Sequence, residues 1–300
     1  MQVHKIDTFA GHRDCVYTLD AGASPTEIFS AGADGMVVRW QLDKPDLGSL
    51  LARIPASVYA LAFDPERKQL WVGQNYDGIH IIDPVQKQEI RSAQITSAAI
   101  FDIKIFDDLA WVALSDGVLA VMDVAEFVVK KHLKVSDKSA RSIAINPLSR
   151  EVAVGYSDNG IRIFDADLLM LKRVIPAHTN SVFTVQYSPD GRFLLSAGRD
   201  AHLKIWDVVD QYSLQQDIAA HLFAINHLCY SPDGALFATC SMDKSIKVWD
   251  AATFRLLKVI DRARHAGHGT SVNKLLWSSY HQQLISASDD RLLSVWEITR

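Results

Sequence analysis

The sequence predicts an all-β fold: a seven-bladed β-propeller of four-stranded antiparallel blades, its ring closed by the N-terminal strand joining the last blade. Three observations predict it: a repeat near 42 residues, four short strands per copy, and a strand ahead of the first copy that the last copy lacks. Seven times an apolar strand ends on the same two-residue stop: Trp40-Gln41, Ile82-Asp83, Met122-Asp123, Phe164-Asp165, Trp206-Asp207, Trp249-Asp250 and Trp296-Glu297. Successive stops lie 42, 40, 42, 42, 43 and 47 residues apart. A period of that size with several strands per unit means a propeller or array, since one unit cannot bury its own apolar face.

The fifth copy shows the elements most clearly. Ser181–Tyr187 is a strand. Ser188-Pro189-Asp190-Gly191 is a turn in which Pro presets a negative φ, Asp caps locally and Gly permits a positive φ. Phe193–Ala197 is the second strand, Asp200 marks the next turn, Leu203–Asp207 is the third strand, and Tyr212–Gln215 leads into a fourth. Four short antiparallel strands joined by tight turns make a propeller blade. The copies run end to end without a linker, so one domain spans 1–300, with approximate blades 10–54, 55–95, 96–134, 135–176, 177–219, 220–260, and 261–300 completed by 1–9. The last copy stops after its third strand, and Val3–Phe9 is the spare strand that completes it, leaving no open edge.

This pattern resembles the WD-repeat β-propeller family over essentially the whole chain. The residues that carry the resemblance are Gly11-His12, Ala177-His178, Ala220-His221 and Gly267-His268, the Ser-Pro-Asp-Gly turns at 188–191 and 231–234, and the Trp-Asp stops. The family closes its ring in the same way.

Serine, histidine and aspartate recur together, which invites a hydrolase reading. The sets are His12, Ser30, Asp34 beside Trp40; His178, Ser196, Asp200 beside Trp206; His221, Thr239, Asp243 beside Trp249; and His268, Ser286, Asp290 beside Trp296. Four copies of one constellation argue against a single active site. A buried chain from indole N–H to hydroxyl to imidazole to carboxylate gives every member a partner, as buried polar groups require. The resemblance implies the same role, a structural tetrad tying the loop before a blade to its second and third strands. Copies two to four depart from it: Val112 and Val154 replace the hydroxyl residue, and Asp77 is out of phase with Tyr76 in its slot. Apolar packing is expected to hold these blades, with Trp71 and Trp111 filling their cores.

In propellers, the loop before the first strand and the loop between the second and third share one face, which surrounds the mouth of the central channel. The resemblance makes this top face the commonest partner site and aims the residue five after the opening histidine at the mouth. Those positions are Tyr17, Tyr59, Phe101, Arg141, Phe183, Asn226 and Asn273. Four aromatics and an arginine stand out, because aromatic residues and Arg are enriched at interface hot spots. The bland alternative is that these rings only line the channel. The second loop adds Ala33, Asn75, Ser115, Ser157, Arg199, Met242 and Asp289, with Arg199 and Met242 expected near Phe183 and Asn226. Asp261–Ala266 lengthens one top loop and makes it basic, either a grip for an acidic partner or an ordinary solvated loop. Arg162, Lys204 and Lys247, each two residues before a stop, are expected on a solvated blade face.

With 48% hydrophobic and 22% charged residues the composition is globular. A net charge of −4 gives no electrostatic case for nucleic acid or an anionic membrane. Cys15, Cys229 and Cys240 have no metal or redox spacing and fall in apolar strands, which suits a reducing, cytoplasmic compartment. The N-terminus has no apolar core of signal-peptide length. No phosphate loop, nucleophile elbow or zinc motif appears. The expected function is a non-catalytic scaffold binding proteins or peptides across the top face, monomeric by itself, with no cofactor or metal. The alternatives are a small-ligand binder or enzyme at the channel mouth, and a nucleic-acid module.

Overall fold

Each blade's first strand begins on an apolar residue followed by the residue that the sequence aims at the mouth. In the computed structural model, which describes residues 1–44 and 48–299, these strands are Val16–Ala21, Val58–Asp64, Ile100–Phe106, Ala140–Asn146, Val182–Tyr187, Ile225–Tyr230 and Val272–Trp277. Each starts a four-stranded antiparallel sheet, and the seven sheets are the blades of a β-propeller. Among the described residues the helical segments are Arg262–His265 and Tyr280–Gln282.

The spare N-terminal strand pairs where the sequence places it. Gln2–Ala10 runs antiparallel to Leu292–Thr299, from Gln2 opposite Thr299 to Ala10 opposite Leu292, and completes the seventh blade. Its Phe9 is buried and stacks on Trp40 of the first blade at 5.3 Å between ring centroids.

Burial grades outward across each blade. The second strand is covered on both faces: Glu151–Tyr156 and Leu236–Ser241 are buried throughout, and apart from Glu151, which takes Lys172 and Tyr212, they read as runs of apolar or small residues. The fourth strand is an outer edge; in Met170–Pro176 only Ile175 is buried.

The chain falls into two compact units, residues 1–94 with 227–300, and residues 95–226. In the first, Phe29 and Val37 of the first blade pack with Leu61, Leu70 and Val72 of the second. In the second, Trp111, Leu119 and Val121 of the third blade pack with Ile143, Val152 and Tyr156 of the fourth. Blade-to-blade hydrogen bonds supplement this packing. Asp20 accepts from the Phe63 amide at 2.7 Å, Asp102 from Ile143 at 2.8 Å, and Ser142 from Val185 at 3.3 Å.

Two expectations are corrected. Arg162 is not on a solvated face: its side chain is 11% exposed, forks onto Asp158 and lies over the Tyr156 ring. Nor are the second and fourth blades held by apolar packing alone. In the fourth, Ser136, 22 residues before Asp158 as His178 is before Asp200, donates to Asp158 at 2.6 Å, and Arg162 of the third strand forks onto the same carboxylate. In the second, His80 lies between Gln74 Oε1 at 2.7 Å and Glu89 at 2.8 Å. Trp71 and Trp111 are fully buried, as their place in the second strands implies.

Candidate functional site

The seven mouth positions share one backbone feature. Each is the second residue of its blade's first strand. In six blades the pairing register to the second strand slips at that residue: between Val16 and Thr18, Val58 and Ala60, Ile100 and Asp102, Ala140 and Ser142, Val182 and Thr184, and Val272 and Lys274. Tyr17, Tyr59, Phe101, Arg141, Phe183 and Asn273 are therefore the extra residues of β-bulges. A bulge bends the strand and re-aims one side chain out of the ladder. All seven residues, Asn226 included, are half-buried.

In six blades the loop between the second and third strands is tied to the start of the first strand. The amides of Ala33, Asn75, Ser115, Ser157, Arg199 and Asp289 donate to the carbonyls of Cys15, Ser57, Ala99, Ser139, Ser181 and Ser271, each two residues before a mouth position. Arg199 and Met242 are exposed, Met242 at 52%.

In the first unit, the Tyr17 and Tyr59 rings stack at 4.6 Å with 19° between planes. Burial pushes the Tyr17 hydroxyl well above its ordinary range, with Tyr59, Cys15 and Asp289 adding to it. Asn273 donates to Val16 O at 3.0 Å and Asp289 Oδ1 at 2.7 Å, which joins the seventh blade to the first. Cys15 faces Asp289 O at 3.8 Å, and burial with that neighbour pushes its thiol up to about 11, so it stays protonated near neutral pH.

In the second unit, Arg141 lies between two phenylalanines. Its guanidinium carbon is 4.4 Å from the Phe101 ring centroid and 5.1 Å from that of Phe183, and its Nε donates to Ser157 Oγ at 3.0 Å. The sequence marks these residues as equivalent positions; the structure brings them into contact.

The repeated polar sets form the expected chains. Trp40 Nε1 donates to Ser30 Oγ at 2.8 Å, Ser30 faces His12 Nε2 at 2.7 Å, and His12 Nδ1 faces Asp34 at 3.1 Å. Trp206, Ser196, His178 and Asp200 repeat this at 2.8, 2.8 and 2.9 Å, and Trp296, Ser286, His268 and Asp290 at 2.8, 2.8 and 2.8 Å. In the sixth blade Trp249 donates to Thr239 at 3.0 Å, Asp243 accepts from Ser245 and His221 is buried. In each of these three chains the carboxylate accepts a hydrogen bond from Nδ1–H, which leaves Nε2 to accept from the hydroxyl. Burial raises Asp200, but His178 and the Thr179 and His202 amides outweigh it and hold the carboxyl at about 2. Burial lowers His12 against the pull of Asp34.

Sequence reasoning missed two residues. Leu222 and Phe223, directly after His221, are 85% and 62% exposed. Their signal is compositional, since the equivalent pairs elsewhere are Arg13-Asp14, Thr179-Asn180 and Gly269-Thr270. The basic loop is also tamer than its sequence, because Asp261 caps the short helix and takes Arg264 in two bonds of 2.9 and 2.6 Å.

The family model of the WD domain, G-beta repeat, matches residues 4–41, 170–207, 212–250 and 261–297, a little over half the chain. The chain belongs to the WD-repeat family. The unmatched stretch 42–169 holds the three blades whose stops lack tryptophan. The matched repeats are offset from the blades by one strand: 170–207 starts on the outer strand of the fourth blade and ends on the third strand of the fifth.

The chain is similar to the mouse Periodic tryptophan protein 2 homolog, 22% identical over 225 residues, which cover 68% of this chain and 24% of that protein. It is similar to Actin-interacting protein 1 of Drosophila melanogaster, 24% identical over 199 residues, covering 62% and 32%. The chain thus spans a third or less of either relative. The WD40 β-propeller domain of Doa1 superposes with a TM-score of 0.88 at 16% identity, covering 100% of this chain and 98% of that one, a likeness of fold.

Proposed function

We propose that residues 1–300 form one non-catalytic propeller domain that binds a protein or peptide across its top face, with Tyr17, Tyr59, Phe101 and Phe183 as anchors. The observation that carries this is the bulge at the mouth residue, which turns each of these side chains out of its ladder in the same way. Aromatic side chains and Arg supply large contact area at low entropic cost, and they dominate interface energetics. Arg199, Asn226, Asn273 and Met242 belong to the same surface in this reading. WD-repeat proteins are typically protein-interaction scaffolds, and the fly relative is named for an interaction with actin. The tetrads serve stability rather than chemistry. We place the protein in the cytoplasm, on its three free thiols. Among the described residues no helix is long and apolar enough to cross a membrane.

Affinity purification with mass spectrometry from native cells tests the reading. Wild type is compared with a Tyr17→Ala, Tyr59→Ala, Phe101→Ala variant shown to be folded. A partner recovered with wild type and lost with the variant supports the top face. A partner retained by both moves the site to the blade sides or the opposite loops.

A further inference from the structure

We infer that the stacked Tyr17–Tyr59 pair, with Asp14 and Asp289 beside it, is a receptor for the cationic side chain of a Lys or Arg on a bound peptide; this rests on the top-face reading above. The two rings lie 4.6 Å apart with 19° between planes, and the bulge at each residue turns it out of its ladder. A tyrosine ring attracts a cation over its face, most strongly where water is partly excluded. Tyr17 is half-buried, so a cation docked against it is partly desolvated.

Two carboxylates select the charge. The start of the first blade lies against the seventh: Cys15 Sγ faces Asp289 O at 3.8 Å, and Asn273 donates to both Val16 O and Asp289 Oδ1. Asp289 and Asp14 both bear on the Tyr17 hydroxyl, where they add to burial, Tyr59 and Cys15 in opposing a negative charge. Asp14 Oδ1 accepts from the Cys15 amide at 2.8 Å and Asp289 Oδ1 from Asn273 at 2.7 Å, both uncharged donors. Among the described residues, Oδ2 of each takes no hydrogen bond and neither carboxylate has an ion-pair partner. Arg13 and Arg291, the cations nearest to them in sequence, pair with neither. Asp34 and Asp290 give the contrast, since His12 and His268 hold them. Asp289 is half-buried, and a carboxylate drawn partly out of water without a counter-charge gains most from a cation brought to it.

The test uses random dodecapeptides displayed on phage and selected on the immobilised whole protein. Synthetic copies of the selected peptides are then titrated by fluorescence polarisation. The expected result is a shared Lys or Arg whose replacement by Met or Gln weakens binding at least about tenfold. Asp289→Asn should weaken binding similarly and no longer distinguish the cationic peptide from its neutral copy. Should Asp289→Asn not fold, Asp14→Asn, at an exposed position, makes the same comparison. Peptides that need their Lys or Arg but bind both aspartate variants as tightly as wild type place the cation elsewhere and overturn this site. Peptides that need an Asp or Glu instead overturn the assignment of charge. Peptides lost with Tyr17→Ala, Tyr59→Ala or with Phe101→Ala, Phe183→Ala, but indifferent to both aspartates and to their own cations, overturn this inference and leave the top-face reading standing. Peptides indifferent to all these variants overturn both, as does a selection that yields no peptide.

Discussion

Trp206 gives its indole N–H to Ser196 Oγ at 2.8 Å, and the same oxygen faces His178 Nε2 at 2.8 Å. One hydroxyl thus satisfies a donor and an acceptor in a buried site, where either one left unpaired costs about 1–3 kcal/mol. Ser196→Ala is expected to destabilise the protein by about 2 kcal/mol or more, read from urea unfolding. An unchanged midpoint would show that the chain contributes nothing to the fifth blade.

The acid end of the same chain sets a pH dependence. The Asp200 carboxyl is held at about 2, below its ordinary value of 3.8. A carboxyl with a depressed folded pKa contributes stability that is fully present above its unfolded value and is lost as pH falls through the folded one. The stability gap between wild type and Asp200→Asn should therefore be largest near neutral pH and shrink between about pH 4 and pH 2. A gap constant from pH 7 to pH 2.5 would count against the His178–Asp200 pairing.

The N-terminal strand carries a larger share. Removing residues 1–10 exposes the edge of Leu292–Thr299 and empties the buried site of Phe9 against Trp40. The Phe9 side chain alone accounts for about 1.5–3 kcal/mol. The truncated chain is expected to melt well below the intact one in calorimetry. Equal melting would refute the closure.

Ala201 sits in a left-handed turn at φ 64°, where a side chain is strained. Its amide bonds to Gly198 O, and its carbonyl accepts from Ala220 and His221, so the turn cannot relax without losing bonds. Gly35 holds the matching turn of the first blade at φ 66°. Ala201→Gly should stabilise the protein by about 1 kcal/mol, the relief of strain exceeding the entropy glycine adds to the unfolded chain. A lower melting temperature would mean that the unfolded-state term wins.

The sequence by itself determined the blade count, the strand order, the strand that completes the last blade and the membership of the tetrads. These rest on spacings within one repeat: hydroxyl and tryptophan 10 residues apart, histidine and hydroxyl 18, histidine and aspartate 22. A period repeated along a chain reports backbone geometry, because strands of fixed rise and turns of fixed chemistry put equal spacings at equal places. Only the tertiary structure decided which mouth residues touch. Tyr17 meets Tyr59, and Arg141 enters the gap between Phe101 and Phe183, because packed blades bring together residues about 40 apart in sequence and bulges turn them out of the ladder. Arg162 reads as a solvated charge until the structure sets Asp158 against it. Whether a charge is offered to solvent or engaged by a neighbour depends on distances of a few ångströms that no residue pattern records.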